Sequence, residues 1–296
     1  RRAPSARPAA RATLAALLAV TITGAALAGG AGPGSAEHRG TDHRGTEHRG
    51  TESTRAPAPV HKHHGNRAKA ERTAFSDQEI VEGFLKTAFG AEYHLAGRVD
   101  RIRKYNGPVR VFAEGARHDR KEQIAAIVAD VAAKVQHLDI AMAPSSSAAN
   151  VTINLVRDRD LYRTLTSSYG AERAREIRSS LDPQCLSGFR KNEAYEIEHS
   201  DVILTVDTGD FIFLDCAYEE LLQSLGPIND TDQVPWTMFN DNVQMGYFDV
   251  FDQYIMNILY HPLIRPGMTV PEVKALLPEV LADVRRFVAR INKLPQ

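Results

Sequence analysis

A helix has no stronger local stop than glycine followed by proline, and this chain places one, Gly226-Pro227, directly after an apolar stripe. Leu214, Ala217, Leu221, Leu222 and Leu225 recur at the spacing of one helical face, so the stretch around Asp215 predicts a buried helix. Gly226 is the residue able to take the left-handed backbone that ends it, and Pro227 blocks its continuation. Glu219 and Gln223 stand at i and i+4 and share a face, with Glu220 one step round. Past the glycine the chain can fold back and bring Asn229 beside that face. Any fold for this chain must hold a buried helix with polar groups near its end and a sharp reversal after it.

The spacing resembles the long zinc motif of metzincin proteases, His-Glu-x-x-His-x-x-Gly-x-x-His. On that pattern the three ligand positions fall on Glu219, Gln223 and Asn229, the general base on Glu220 and the glycine on Gly226. The glutamate and the glycine match; all three ligand positions differ. Pro235-Trp-Thr-Met-Phe239 is similar to the Met-turn of that family, with Met238 as the floor of the site, and Phe251 to Tyr260 is similar to its closing helix. Residues from about 75 to 270 also resemble a family of exported bacterial proteins known only as a domain of unknown function. That likeness rests on Cys216-x-x-Glu-Glu-Leu-x-Gln-x-Leu-Gly226, on Asn229-Asp230, and on Leu259-Tyr260 with Arg265-Pro-Gly-Met268. Together the resemblances imply an α+β, zincin/metzincin-like fold: a twisted mixed sheet packed on two long helices, with a helical C-terminal part.

The donor set sets the chemical expectation. Zinc prefers His and Cys, whereas Glu219, Gln223 and Asn229 offer one carboxylate and two amides. Amide oxygens suit harder cations, so an oxygen-ligated divalent ion aided by Asp230 or Asp232 is the alternative to an empty site. Without zinc nothing lowers the pKa of an attacking water to about 7, and Glu220 alone does not replace it. We expect no metal or cofactor, and a polar cluster in which Gln223 and Asn229 hold the returning loop while Met238 and Trp236 pack below. The leading function is a catalytically inactive binding domain for a peptide, protein or cell-envelope ligand. One alternative is a hydrolase with non-zinc or metal-free chemistry using Glu220 as general base; another is a structural envelope protein. Glu219 and Glu220 do not make a glycosidase pair, because adjacent helical residues point apart. His94, His118, His137, His199 and His261 stand in no ligand spacing with one another; His199 is the nearest in sequence to the key helix.

The two ends differ from the middle. Arg1, Arg2, Arg7 and Arg11 precede an apolar run, Leu14 to Leu27, that closes on Ala26-Leu-Ala28. This reads as a secretory signal over 1–28 and implies a secreted or periplasmic protein with no membrane span after cleavage. Residues 29–74 carry three copies of an acidic-His-Arg-Gly-Thr pentapeptide and six of the eleven histidines, and read as a disordered, His-rich tether. Residues 75–296 form the expected globular domain. It holds 24 basic against 32 acidic residues, a net −8, which argues against a nucleic-acid partner. Cys185 and Cys216 are the only cysteines, and in an exported chain a lone pair predicts a disulfide.

Within the domain, Ser76-x-x-Glu79 and Thr269-x-x-Glu272 are capping boxes that predict helix starts. Val109 to Ala113, Leu138 to Met142 and Val151 to Val156 predict strands, and Ala194 to Val206 one or two more. A long helix is expected from His118 to about His137, a short helical excursion over 158–180, and a turn at Asp207-Thr-Gly-Asp210 that caps the key helix. Val273, Leu277, Val280, Val284 and Val288 predict a long last helix with Pro278 inside it.

Overall fold

The computed structural model describes residues 72–90, 100–179, 185–240 and 242–295. The expected signal, the repeat tail up to residue 71 and His94 lie outside the described residues. Helix α1 (Asp77–Ala88) starts at Ser76, whose side chain and that of Glu79 close the expected capping box. Strand β1 (Val109–Glu114), helix α2 (His118–Lys134), strand β2 (Ile140–Met142) and strand β3 (Val151–Val156) follow. Next come α3 (Asp158–Tyr169), α4 (Ala171–Ser179), β4 (Cys185–Lys191), β5 (Ile197–Thr205), α5 (Asp210–Ser224), α6 (Val250–Tyr260) and α7 (Val270–Asn292).

The five strands form one mixed sheet in the order β2-β1-β3-β5-β4. β1 runs parallel to β2 and β3, β3 parallel to β5, and β4 antiparallel to β5 at the edge. Alternation decides the layers. Val109, Val111 and Ala113 of β1 and Val151, Ile153 and Leu155 of β3 point into the main core with Ile124, Ile127 and Val131 of α2 and Ala217, Leu221 and Leu222 of α5. α1, α6 and the apolar stripe of α7 complete that core. The other face is covered by α3 and α4, through Leu165, Ala174 and Ile177 against Leu186 and Ile203. Successive β4 residues therefore serve different layers: Leu186 faces α3 and α4, while Cys185 and Ser187 face α5.

The disulfide between Cys185 and Cys216 pins β4 to α5, with Cα atoms 5.8 Å apart and a sequence separation of 31. On the chain-entropy model such a closure contributes roughly 3 kcal/mol. Among the described residues no helix is long and apolar enough to cross a membrane.

Several expectations change. α2 ends at Lys134 rather than His137, because Asn257 of α6 takes over there: its side chain accepts from the Gln136 N–H at 2.7 Å and donates to the Lys134 carbonyl at 2.8 Å. The excursion over 158–180 is two helices, with Gly170 at a φ of 83° between them. The strand β4 is additional to those expected. The 207–210 turn does not cap α5 by a side chain; Gly209 is the N-cap, and Asp210 instead pairs with buried Arg120 at 2.8 Å. Helix α5 stops at Ser224, and Gly226 has a φ of 141°, positive but outside the left-handed helical region.

One short segment fastens two helix ends. Arg103 and Lys104 are both buried, and among the described residues no carboxylate lies within 4 Å of either. Arg103 donates to the carbonyls of Ala88 and Gly90, at the end of α1. Lys104 Nζ donates to the carbonyls of Leu259 at 2.9 Å and His261 at 3.4 Å, at the end of α6. Each cation meets the negative end of a helix dipole and satisfies carbonyls the helix leaves open. Burial still disfavours their charge, pushing Arg103 down to about 10 and Lys104 down to about 8.

Candidate functional site

The reversal after α5 brings polar side chains together, though not the ones expected. Gln223 is buried at the last turn of α5. Its Nε2 donates to Asp230 Oδ1 at 2.5 Å, and its Oε1 accepts from Ser187 Oγ of β4 at 3.3 Å. Asn229 turns away. Its Nδ2 donates to the Lys86 carbonyl at 2.7 Å and its backbone N–H to the Thr87 carbonyl at 3.3 Å. The physical reason is supply: the last carbonyls of α1 need donors, and an asparagine carries a side-chain N–H beside its backbone one. Asp230 takes the place expected for Asn229 beside Gln223. Glu219 is half-buried, Glu220 is buried and Asp232 is exposed.

Gly226 makes this return possible. A Cβ on it would stand 2.3 Å from the Arg103 carbonyl oxygen and 3.0 Å from Leu259 Cδ2. The chain therefore crosses the 103–104 segment at a distance only glycine allows. Gly90 makes a similar approach, where a Cβ would stand 2.6 Å from Asn229 Oδ1.

The donors do not converge on a metal position. The oxygen of Gln223 is turned to Ser187, and the Asn229 side chain is engaged on α1, whereas a zinc site needs its ligand atoms about 2.0–2.3 Å from one point. Among the described residues no group of three or more His, Cys, Asp and Glu side chains is placed to hold a metal ion. His199 lies within β5, with Nε2 3.3 Å from Asp201 Oδ1, apart from this cluster.

Below the cluster the 235–240 turn is anchored on a carboxylate that sequence reasoning passed over. Met238 is buried. Its N–H donates to Asp252 Oδ2 at 2.9 Å, and Thr237 Oγ1 donates to Asp252 Oδ1 at 2.5 Å. Asp252 is fully buried in the first turn of α6, and burial raises its pKa against the lowering effect of those bonds. The signal for it was the one charged residue of the mostly apolar α6. Trp236 is half-buried and stacks edge-on to Phe75 at 6.3 Å, with the Arg72 guanidinium 4.3 Å above its ring.

One face of α5 carries Phe211, Asp215, Glu219 and Gln223 at successive i+4 positions, open at Phe211 and buried at Gln223. Phe211 is 48% exposed and Tyr247, from the loop opposite, 44%. Asp215 accepts from the Met245 N–H, yet burial pushes its carboxyl up to about 6. Because the folded value lies above the ordinary one, the contribution of this group to stability is full below the unfolded pKa and is lost as pH rises through about 6. At neutral pH the partly screened charge costs roughly 1 kcal/mol. Asp215→Asn keeps the acceptor for Met245 and is expected to raise the melting temperature at pH 7.5 but not at pH 4 (thermal unfolding at both values). An equal gain at both would show that charge is not the cause. Tyr169, at the end of α3, is also part of this neighbourhood. Its hydroxyl would lie 3.6 Å from a Cβ on Gly188 of β4, and burial first, then the charges of Asp201 and Glu220, push it up to about 12.

The model of a family described as "Protein of unknown function (DUF2927)" matches residues 77–279, from the first turn of α1 into the middle of α7. No curated protein and no solved structure matches the chain.

Proposed function

The chain belongs to this family of unknown function, and from that premise we propose that its domain is a catalytically inactive, metzincin-like binding domain that holds an extended peptide against the edge strand β4. The observation that carries the reading is the use made of the ligand positions. Gln223 bridges Ser187 and Asp230, and Asn229 ties the loop to α1, so both are spent on holding the chain return. The element order supports the likeness: strand, helix, strands, then a helix ending in a glycine, with a buried Met238 turn and a closing helix after it. No metal or cofactor is part of the proposal. Glu220 is buried and belongs to the wall rather than to a reaction.

β4 suits an added strand because it lies at the sheet edge, and its first half borders the acidic face of α5. Main-chain bonds would supply affinity, and the carboxylates of Asp215 and Glu219 would favour a basic ligand. The disulfide suits work in an oxidising compartment outside the cytoplasm.

The test uses the full chain with its disulfide formed and a pool of unstructured basic peptides. Amide hydrogen exchange in residues 185–191 is expected to slow when peptide binds, with Glu220→Ala behaving as the wild type. Peptide cleavage that Glu220→Ala abolishes would establish the hydrolase instead. So would a stoichiometric ion, found by elemental analysis, that Glu219→Ala loses while the histidine tail is unchanged.

A further inference from the structure

A cavity of about 470 Å³ opens where the 104–108 segment, the 137–139 turn and the 260–266 turn meet. The reading above does not use it. Its size falls within the range of about 300–1,000 Å³ of small-ligand pockets.

Its lining holds two cations, Lys104 and Arg265, and one carboxylate, Asp139. Lys104 is 6% exposed; its Nζ donates to the carbonyls of Leu259 and His261 and lies 5.3 Å from the centre of the Tyr260 ring. Those oxygens carry partial charges, so the buried ammonium has no full counter-charge. Arg265, exposed on the facing turn, has no carboxylate within 4 Å among the described residues. The carboxylate of Asp139 is already held by Arg110 in two bonds of 2.9 and 3.1 Å. His137 is fixed in a left-handed backbone at a φ of 66°, with its ring edge-on to His261 at 6.1 Å. A positive φ at a residue with a side chain is worth a functional question. Pro108, Pro262, Ile264 and Pro266 give the lining an apolar part.

We propose that this cavity binds a small organic anion, its carboxylate between Lys104 and Arg265 and its apolar body against the proline-lined wall. Carboxylate supplies the charge that Lys104 lacks, and a body without polar groups suits walls that offer few donors.

Calorimetric titration of the full chain at constant ionic strength tests it with three probes. Benzoate has both features, acetate only the charge and benzyl alcohol only the body. Benzoate is expected to bind with a Kd of about 1 mM or tighter, and the other two at least about tenfold more weakly. Arg265→Gln, on the surface, should weaken benzoate about tenfold, and Lys104→Gln should do the same. If Lys104→Gln fails to fold, Arg265→Gln decides alone. Benzoate binding that survives Arg265→Gln, benzyl alcohol binding as well as benzoate, or no benzoate binding up to about 10 mM would each overturn the proposal.

Discussion

Gly226→Ala is expected to remove roughly 4 kcal/mol of folding stability, a large share of what the domain holds. The residue has a φ of 141°, and an added methyl would meet the Arg103 carbonyl oxygen at 2.3 Å. That oxygen belongs to backbone, and it cannot swing aside as a side chain can. The segment carrying it is fastened on both sides, by Arg103 to α1 and by Lys104 to α6. Strain in φ costs on the order of 1–3 kcal/mol and the overpacking a similar amount, roughly 4 kcal/mol together. A domain of this size holds only about 5–15 kcal/mol in all. Denaturant unfolding of the full chain measures it; a loss below about 1 kcal/mol would mean that the two segments separate easily. The cluster at Gln223 should fail with the turn, since Asp230 reaches Gln223 only because the chain reverses at Gly226.

Asp252→Ala is expected to cost about 4 kcal/mol. The substitution would remove the acceptor of two buried donors, the Met238 N–H and the Thr237 hydroxyl, and leave both without a partner in a dry site. Buried donors that lose their acceptor cost about 1–3 kcal/mol each. Asp252→Asn keeps an acceptor oxygen and is expected to cost about half as much. It also removes a carboxyl whose charged form burial already disfavours. Urea unfolding of both variants checks the ranking. Equal losses would show that the charge, and not the bond geometry, holds the 237–238 turn.

Features with a local cause were legible in the sequence. The capping boxes at Ser76 and Thr269, the alternation of β3 and the pairing of two lone cysteines each depend on neighbours in sequence or on simple arithmetic, and each stands in the structure. β4 was not legible, because Cys-Leu-Ser-Gly-Phe-Arg-Lys shows no clean alternation. One face of it meets α3 and α4 and the other meets α5, so Leu186 and Ser187 are both buried. The choice between Asn229 and Asp230 was not legible either. It depends on where the last carbonyls of α1 lie, more than a hundred residues away in sequence. The burial of Arg103 and Lys104 has no local signal, because the carbonyls that hold them lie at the ends of α1 and α6. The positions of Glu219, Glu220 and Gln223 on the helix were fixed by spacing alone, but their partners were not.

The register of the edge strand contains a length rule. β4 pairs evenly with β5 from Cys185 to Arg190, and the register then slips before Lys191, where Glu198 of β5 is skipped. A register shift beside two cations at the end of a strand at the sheet edge is a device that keeps unwanted chains from zipping along it. In the proposed binding mode it would also act as a ruler: a strand laid on this edge would find a straight ladder from Cys185 to Arg190 and be turned off beyond it, which would favour short extended segments over long ones.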